Sequence, residues 1–247
     1  MKIITSEFAH SYKHFSFGYA DFLLREKEDT LSEIYELGFL PDSSIPEYTN
    51  LFYRARSARV ILDQWQPNSE NRRVLKKFEG RLQRESIPFS SFNHKNTDFR
   101  AFCISYFKNR HGELSMPEHK FDTILKSKLI TDIITYTEGG DIVAYVFEVT
   151  DKEMGHYWYS FYDLTYTFQS LGMWLMIDST IEAKKKKKKM YYLGTVYGDK
   201  ALYKTNFNNL EYWTGAQWSN DMKALKKRSR SDNERTFDLE AEWKENI

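Results

Sequence analysis

The chain has 247 residues, of which 41% are hydrophobic, 17% aromatic and 29% charged, and its formal net charge is +1. This composition is typical of a globular protein that is long enough for one large domain or two lobes. Because the net charge is close to zero, any nucleic-acid binding has to use local basic patches. No apolar run approaches membrane-spanning length, so we expect no membrane partner.

Cysteine and histidine usage limits the metal chemistry of the chain. Cys103 is the only cysteine, which excludes an intrachain disulfide and a metal site built from cysteines. The six histidines have no spacing typical of metal ligands. We therefore expect no bound metal. Since the early sequence also lacks an apolar signal-peptide core, we expect a reducing, cytoplasmic location.

The first ninety residues have the pattern of a smaller α/β lobe. The chain is expected to be irregular up to an edge strand at 15–19. A helix follows, which Asp29 or Thr30 caps and Gly38 ends. Residues 51–65 alternate as a pair of strands that carry Arg54, Arg56 and Arg59. Asn68 or Ser69 then caps a basic helix containing Arg72, Arg73, Lys76 and Lys77.

The middle of the chain alternates between helical and strand patterns. A polar connection covers 87–98, and further elements follow it. We expect helices at 99–109 and 117–129, a hairpin with strands at 132–138 and 142–149, and an aromatic strand at 156–161.

The stretch from 169 to 213 has the pattern of a loop, a helix and a strand whose ends converge. Ser170 can cap a helix that contains Gly172 and ends in the lysine run 184–189. A buried strand at 190–196, a short helix at 200–207 and a strand at 211–218 follow. Helix amides at such a loop can bind phosphate, and polar side chains collect at the strand end. With the preceding elements, this is the element order of a GNAT acyltransferase fold.

Three short motifs in this stretch carry a family resemblance. They are Ser170-Leu171-Gly172, Tyr192-Leu193-Gly194 with Tyr197 nearby, and Tyr203-Lys204 followed by Phe207. Their order and spacing resemble the catalytic half of the arginyl-tRNA–protein transferases and of the bacterial aspartate/glutamate leucyltransferases. The resemblance implies a substrate- and tRNA-binding set of Ser170, Leu171, Gly172, Tyr192, Gly194, Tyr197, Lys200, Tyr203 and Lys204.

The resemblance extends into the N-terminal lobe, with one departure. Gly38-Phe39, Phe52-Tyr53-Arg54 and Arg59-Val60 follow the family pattern. The family has cysteines near the N-terminus and just before the position of Arg59, where this chain has Phe17 or its neighbours and Ser57-Ala58. An iron–sulfur cluster or zinc held by thiolates is therefore excluded at these positions.

Together these observations predict an α+β protein with a GNAT-like acyltransferase C-terminal lobe and a smaller N-terminal α/β lobe. We assign 1–90 to substrate and tRNA recognition, 91–220 to catalysis and 221–247 to a charged tail. The resemblance implies transfer of an amino acid, arginine as the first guess, from tRNA to the N-terminal α-amine of a protein or peptide. Aminoacyl-tRNA is a co-substrate, and no cofactor is expected. The alternatives are a coenzyme A-dependent N-acyltransferase and a non-catalytic tRNA- or peptide-binding member.

The loop residues bear on the choice between tRNA and coenzyme A. Coenzyme A enzymes of the GNAT fold use Arg or Gln, two residues, Gly, one residue, then Gly or Ala. Gln169 and Gly172 fit this pattern, but Trp174 stands at the last position. A bulky indole there is expected to crowd a pyrophosphate, which favours tRNA. If Trp174 is instead a core residue, it is compatible with either donor.

Asp163 and Tyr162 are the candidate catalytic residues. The acceptor α-amine has an ordinary pKa of about 7.7 to 8.0, so the enzyme mainly has to align it and support the oxyanion. Asp163, at the end of an aromatic strand, can orient or deprotonate the amine, or it can simply cap a turn. Tyr162, Tyr192 and Tyr197 can line the amino-acid and terminal-adenine pocket, or they can be core residues.

Basic residues suggest where substrates bind. Lys200 and Lys204 are four apart on the predicted short helix and therefore on one face. A shared face of the basic helix can contact the acceptor stem through Arg72, Arg73, Lys76 and Lys77. The run 184–189 surrounds its helix and is either a solvated helix end or a secondary tRNA patch. Three further arginines, Arg54, Arg56 and Arg59, can pair with an acidic N-terminal residue, although alternating strand arginines often only face solvent.

Overall fold

The structure, a computed structural model, describes residues 1–12, 15–43, 45, 47–112 and 115–232. These residues form a four-stranded and an eight-stranded sheet with six α-helices. The strands are β1 (Lys2–Ser11), β2 (Ser16–Leu24), β3 (Phe39–Pro41), β4 (Leu51–Arg54), β5 (Ser57–Ile61), β6 (Gln83–Pro88), β7 (Asp132–Glu138), β8 (Asp141–Thr150), β9 (Met154–Tyr162), β10 (Met190–Thr195), β11 (Leu210–Trp213) and β12 (Trp218–Ser219). The helices are α1 (Leu31–Glu36), α2 (Ser69–Lys76), α3 (Thr97–His111), α4 (Glu118–Lys126), α5 (Leu171–Lys185) and α6 (Met222–Ser231). Three 3₁₀ helices cover Phe89–Ser91, Leu164–Gln169 and Asp199–Asn206.

The small sheet has the strand order β1-β2-β4-β3 and is antiparallel throughout. The edge strand expected at 15–19 is wrong in its position, because β2 lies between β1 and β4. The irregular segment expected before it is also wrong, since Lys2–Ser11 is a full strand. Most side chains of β1 are exposed, so its pairing with β2, rather than a hydrophobic pattern, makes this segment a strand.

Helix α1 confirms the predicted start and stop signals. The side chain of Thr30 accepts a hydrogen bond from the Glu33 amide, and the Glu33 carboxylate accepts one from the Thr30 amide, which is a capping box. Gly38 ends the helix at φ +79°. A Cβ on Gly38 would lie 2.4 Å from the ring of Trp213, so glycine is required here for backbone conformation and for close packing.

The large sheet has the order β12-β11-β5-β10-β9-β8-β7-β6. The strand pair expected at 51–65 is wrong, because β4 pairs with β2 and β3 in the small sheet while β5 pairs with β10 and β11 in the large one. The polar connection expected at 87–98 is also wrong at its start, because residues 87 and 88 are the end of β6, which pairs with β7. The strand expected at 211–218 is divided into β11 and β12, which pair with each other.

The α+β class and the GNAT-like element order are confirmed. From α3 to β10 the chain runs through two helices, three antiparallel strands, the loop-led helix α5 and a strand parallel to β9. Strands β5 and β6 add to this sheet from the first ninety residues. The proposed division at residue 90 stays a prediction, and the large sheet draws strands from both sides of it.

Strands β9 and β10 separate at one end, and this opening positions the candidate site. They pair in parallel over only three residue pairs, which end at Tyr192 and His156. Beyond that point β9 continues to Tyr162 along β8, and β10 continues to Thr195 along β5. Two parallel neighbours that diverge leave a wedge-shaped cleft, here called the β9–β10 cleft.

The predicted charged tail begins with α6, which Asp221 caps through the amides of Lys223 and Ala224. The remainder of that tail, from residue 233, lies outside the described residues.

Candidate functional site

Four tyrosines meet on one side of the β9–β10 cleft. The rings of Tyr106 and Tyr162 have centroids 4.9 Å apart, and a Cβ on Gly172 would lie 2.9 Å from the Tyr162 ring. Tyr203, which is 42% exposed, lies near Tyr162 at the edge of this group. Buried Tyr157 has a hydroxyl without a hydrogen-bond partner in the described part of the chain. The start of α5 therefore packs directly on a tyrosine cluster that lines the cleft.

A cavity of about 340 Å³ lies between the small sheet and the open end of β9 and β10. Its lining mixes aromatic, acidic, basic and hydroxyl groups. The small sheet and the segment after it contribute Leu40, Pro41, Asp42, Ser43 and Tyr53, and the large sheet and α4 contribute His156, Trp158, Tyr159, Gly194, Thr195 and Lys120. A volume of this size accommodates an amino-acid residue rather than a folded segment.

His156 reaches this cavity from a fully buried position. Its ring is 1% exposed, and its Nδ1 lies 2.9 Å from the Tyr35 hydroxyl. Its Nε2 has no hydrogen-bond partner among the described residues. Burial, and then the charge of Lys204, lowers the pKa of His156 to about 3. The imidazole is therefore neutral at physiological pH.

Lys204 borders the same space as His156. Its Nζ donates to the Thr195 carbonyl at 2.7 Å, and burial lowers the pKa of its ammonium to about 8. Gly194 has φ +80°, and a Cβ on it would lie 3.6 Å from Lys204 Nζ and 3.8 Å from His156 Nε2. Both nitrogens thus lie next to the open space beside the Gly194 backbone.

The start of α5 differs from its prediction. Ser170 is at the N-cap position with φ +69° and makes no side-chain capping hydrogen bond. Its left-handed backbone directs the hydroxyl elsewhere, and Oγ accepts a hydrogen bond from Lys77 Nζ at 3.2 Å. The expected capping by Ser170 is therefore wrong. Leu171 is buried and Gly172 packs on Tyr162, so an uncapped helix start with a lysine beside it faces the cleft.

Two further groups lie next to this helix start. Arg81 donates to the side chain of Gln169 at 2.9 Å and pairs with Glu138. Phe168, two residues before Ser170, is 97% exposed. An aromatic ring in this position has both faces available to a nucleobase.

Trp174 is a core residue. Its side chain packs against Phe78 and Tyr136, and its Nε1 donates to the Leu75 carbonyl at 3.3 Å. The indole points into the contact between α2 and α5 rather than into the loop. The expected crowding of a pyrophosphate by Trp174 is therefore wrong, and this residue does not distinguish coenzyme A from tRNA.

Asp163 is the cap of the 3₁₀ helix that follows β9. Its Oδ1 accepts hydrogen bonds from the amide and the hydroxyl of Thr165 at 2.9 and 2.7 Å. In the structure Asp163 thus makes the turn-capping contacts that are the alternative to a catalytic role. Catalysis by Asp163 and Tyr162 stays a prediction, and Tyr162 lies in the cluster beside Gly172.

Tyr192 and Tyr197 occupy different environments. Tyr192 is 1% exposed and packs against the rings of Tyr35 and Trp218. It lies in the core, so a stacking platform for adenine is wrong for this residue. Tyr197 is half exposed, and its hydroxyl accepts a hydrogen bond from the Arg56 amide at 2.9 Å.

Each of the three strand arginines has a carboxylate partner within the chain. Arg54 pairs with Asp21 at 2.7 Å. Arg56 binds both carboxylate oxygens of Asp232 at 2.6 Å, and the same carboxylate accepts from the Gly198 amide. Arg59 lies between Glu36 and Glu211 and covers the ring of Trp218. An incoming acidic residue would have to compete with these internal pairs.

The predicted lysine pair is not on one face. Residues Asp199–Asn206 form a 3₁₀ helix, in which residues four apart are about 120° apart around the axis. Lys200 is exposed, whereas Lys204 is buried at the cleft. The expectation of a shared α-helical face is therefore wrong.

The other basic residues have mostly local partners. Arg72 donates to the Pro67 carbonyl and Arg73 pairs with Glu70, both on the exposed surface of α2. In the run 184–189, four lysines contact this chain. These contacts are Lys184 with the Trp65 carbonyl, Lys185 with Glu182, Lys188 with the Asp151 carbonyl and Lys189 with Glu153.

Cysteine and membrane chemistry add little to the site. Cys103 is fully buried, and burial raises the pKa of its thiol. In the part of the chain that the structure describes, no group of three His, Cys, Asp or Glu residues could hold a metal ion. None of the described helices combines the length and apolar character needed to cross a bilayer.

Comparison with known proteins points to one family. Residues 99–214 match the model for the C terminus of arginine-tRNA-protein transferase. This part of the chain is therefore similar to the C-terminal part of that family. The matched residues contain all three motifs and both walls of the β9–β10 cleft.

The curated proteins that match this chain agree with the similarity to transferases. Aspartate/glutamate leucyltransferases from strains of Cereibacter sphaeroides are 25% identical over 175 residues, covering 66% of this chain. The chain spans 60% of the length of these relatives. Among solved structures, L-PGS from Bacillus licheniformis has a TM-score of 0.44 at 14% identity, over 57% of this chain and 44% of that one. FemX has a TM-score of 0.44 at 9% identity, over 68% and 60%. At these TM-scores the structural likenesses carry no conclusion about this chain.

Sequence reasoning missed several residues of the cleft. His156 was read only as the start of an aromatic strand, and Tyr106 and Tyr157 were not singled out. One signal was present, because His156 is the imidazole in a stretch of β9 that is otherwise aromatic apart from Ser160. No pattern in the sequence indicates that α1 supplies Tyr35 to this histidine.

Proposed function

We propose that this protein is an aminoacyl-tRNA–protein transferase, which moves an amino acid from charged tRNA to the N-terminal α-amine of a protein or peptide in the cytoplasm. The observation that carries this proposal is the arrangement of the three family motifs. Gly172, Gly194 and Lys204 lie along one cleft, linked by the tyrosine cluster. The reaction needs no cofactor beyond the activated ester of the aminoacyl-tRNA.

On the donor side, a phosphate of the tRNA 3′ end binds at the uncapped start of α5. The backbone amides there donate hydrogen bonds to it, and Lys77 supplies a cation. Exposed Phe168 is placed to stack on the terminal base. The remaining predicted contacts, Tyr197, Lys200, Arg72 and Arg73, supply outer contacts to the acceptor stem.

Arginine as the amino acid and an acidic acceptor are both inferred from the names of similar proteins. Arginine follows the name of the family model that matches residues 99–214. The acidic acceptor is inferred from the name of the leucyltransferase relatives. Arg54, Arg56 and Arg59 would bind such an acceptor only by exchanging their internal partners.

The test is transfer of radiolabelled arginine or leucine from charged tRNA to model proteins that begin with Asp, Glu, Lys or Met. We expect label on the acidic N-termini. We expect Lys77→Ala and Phe168→Ala to raise KM for the charged tRNA about tenfold each, because phosphate and stacking contacts contribute about 1–3 kcal/mol. Lys152→Ala, an exposed lysine at the opposite end of β9, is the matched control. Absence of label on every acceptor contradicts the proposal.

Coenzyme A stays a second candidate donor. The Trp174 indole points into the core, so it does not crowd a pyrophosphate at the loop. A coenzyme A enzyme should be stabilised against heat by acetyl-coenzyme A and should acetylate amines. No thermal shift and no acetylation rule out this candidate.

A further inference from the structure

The cavity between the two sheets contains a polar group that the fold does not satisfy. His156 is enclosed by the small-sheet core, and its only described hydrogen-bond partner is Tyr35. A buried nitrogen without a partner costs about 1–3 kcal/mol. Such a group is retained most readily where a ligand supplies the missing partner. His156 belongs to the cavity lining, so the open side of Nε2 is the cavity itself.

The contact with Tyr35 decides which ring nitrogen carries the proton. Burial raises the pKa of the Tyr35 hydroxyl well above its ordinary value, so this hydroxyl has a proton to donate. If Tyr35 donates to Nδ1, the proton of the neutral ring is on Nε2 and one group remains unsatisfied. If Nδ1 donates to Tyr35, both the hydroxyl proton and the Nε2 lone pair lack partners. The first arrangement is favoured because it leaves fewer buried groups unsatisfied.

Nε2–H is therefore a donor directed at the space beside Gly194, and Lys204 Nζ is a second donor at the same place. Only one of the Nζ hydrogens is used by the Thr195 carbonyl. Two N–H donors around one buried space fit an oxygen atom that accepts from both. In an acyl transfer, the oxygen on which negative charge develops is the carbonyl oxygen of the transferred group.

We propose that His156 is a catalytic residue, whose Nε2–H, held in this tautomer by Tyr35, binds the carbonyl oxygen of the amino acid being transferred. The inference rests on the proposed function. In the step that it serves, the acceptor amine forms a C–N bond with the ester carbon and the carbonyl electrons move onto the oxygen held by His156. The C–O bond to the ribose then breaks, and the ribose hydroxyl leaves with the proton that the amine gives up.

A neutral imidazole suits this role better than a charged one. It donates one hydrogen bond without placing a further charge next to Lys204, and it keeps its proton through the reaction. It is unsuited to act as a base, because Nε2 has no lone pair in this tautomer. The positioning residue Tyr35 acts only through His156, from α1 in the small-sheet core.

Single-turnover and steady-state transfer by three variants test the proposal. His156→Leu removes the donor, and we expect kcat to fall on the order of 10²-fold with little change in KM for the charged tRNA. His156→Gln keeps an N–H donor and should recover at least a tenth of wild-type kcat. Tyr35→Phe should lower kcat about twofold, since both tautomers become populated and only one of them has the Nε2–H donor. His10→Gln, on the exposed face of β1, is the matched control.

Nitrogen-15 spectra of the ring provide a readout that does not require turnover. The wild-type protein should show a protonated Nε2 and an unprotonated Nδ1 for His156, and Tyr35→Phe should show a mixture. A protonated Nδ1 in the wild-type protein overturns the proposal. An active His156→Leu variant with unchanged kcat overturns it as well, and then a bound water satisfies Nε2.

These results separate the two proposals. An active wild-type protein with an active His156→Leu variant removes only the role of His156. A wild-type protein that transfers nothing from any charged tRNA removes the proposed function and this inference together. If His156→Leu does not fold, His156→Gln and Tyr35→Phe provide the test. A Tyr35→Phe variant with wild-type kcat and an unchanged His156 tautomer counts against the proposal.

Discussion

Arg56, between β4 and β5, and Arg59, in β5, are buried to a degree similar to that of the polar groups of the β9–β10 cleft, but their contacts differ. Arg56 and Arg59 are 7% and 6% exposed, and each has carboxylates of this chain around it. His156 and Lys204 are 1% and 9% exposed, and neither has a carboxylate partner among the described residues. The buried charges of the first region are matched by carboxylates of this chain. The polar groups of the second region border the space beside Gly194 instead.

This difference separates buried polar groups that stabilise the fold from buried polar groups that are available to a ligand. A buried cation that is matched by carboxylates contributes to folding and is not available to a ligand. A buried neutral donor without a partner costs stability in the free protein. This cost is recovered only when a substrate oxygen accepts the hydrogen bond. A buried donor without a partner therefore identifies a site more reliably than a high density of positive charge does.

The largest effect that tests this comparison is expected for Arg59→Ala. The change leaves Glu36 and Glu211 without their cation and Trp218 without its covering guanidinium. We expect a loss of about 2–3 kcal/mol in the free energy of unfolding, less than the 3–5 typical of fully buried pairs because Glu36 is half exposed. Urea denaturation at neutral pH measures it. A loss below about 1 kcal/mol would mean that this pair behaves as a surface ion pair.

The next effect is the acid sensitivity contributed by His156. Its pKa of about 3 in the folded protein lies below the ordinary 6.5, so the unfolded chain binds a proton that the folded chain does not. Stability from this group is complete above pH 6.5 and is lost as pH falls towards 3. Between pH 7.5 and 5 the loss is about 2 kcal/mol.

The groups facing His156 determine how this loss is measured. They are Tyr35 on α1, Lys204 on the 3₁₀ helix, and Asp42 and Lys120 across the cavity. Comparing the wild-type protein with His156→Gln in urea at each pH cancels the contribution of the carboxylates. Parallel stability curves for the two proteins would show that His156 is not buried in its neutral form.

A smaller effect on stability, with a larger one on activity, is expected for Gly194→Ala. The residue has φ +80°, so alanine costs roughly 1–2 kcal/mol of stability. The new methyl meets Lys204 and His156 only at ordinary contact distances, so it fits, but it fills the space proposed for the carbonyl oxygen. Transfer activity should fall more than about tenfold.

Gly80→Ala is the matched control for this change. Gly80 has φ +72° and open space around its Cβ position. It should lose similar stability in urea denaturation and retain full activity. Equal activity of the two alanine variants would remove Gly194 from the site.

The smallest effect is expected for Arg73→Ala. This arginine pairs with Glu70 on the exposed surface of α2, so solvent screens the pair and we expect no measurable loss in the free energy of unfolding. The same urea measurement used for Arg59→Ala provides the comparison. A loss as large as that of Arg59→Ala would show that exposure does not separate the two pairs.

Local signals in the sequence predicted much of the fold. The cap at Thr30, the stop at Gly38, the hairpin at 132–149 and the order of elements from α3 to β10 each depend on residues close together in the chain. The separation of β4 and β5 into different sheets was not predictable in this way. Only Ala55 and Arg56 lie between them, and partners from β2 and β10 determine where each strand pairs.

The candidate site was predicted in part. The motifs identified Gly172, Gly194 and Lys204, which lie along the cleft. Trp174 and Tyr192 were misjudged because a large aromatic residue in a motif gives no sign of whether it faces the core. His156 required knowledge of its contact with Tyr35, which is 121 residues away in the chain.

The carboxylate of Asp232 has a practical consequence for anyone who trims this protein. It binds Arg56 on the segment between β4 and β5 and the amide of Gly198, where the 3₁₀ helix that carries Lys204 begins. Deletions for crystallisation should therefore leave Asp232 in place. A shorter version, or one cleaved by a protease within α6, is expected to keep both sheets while losing the alignment of the lysine at the cleft.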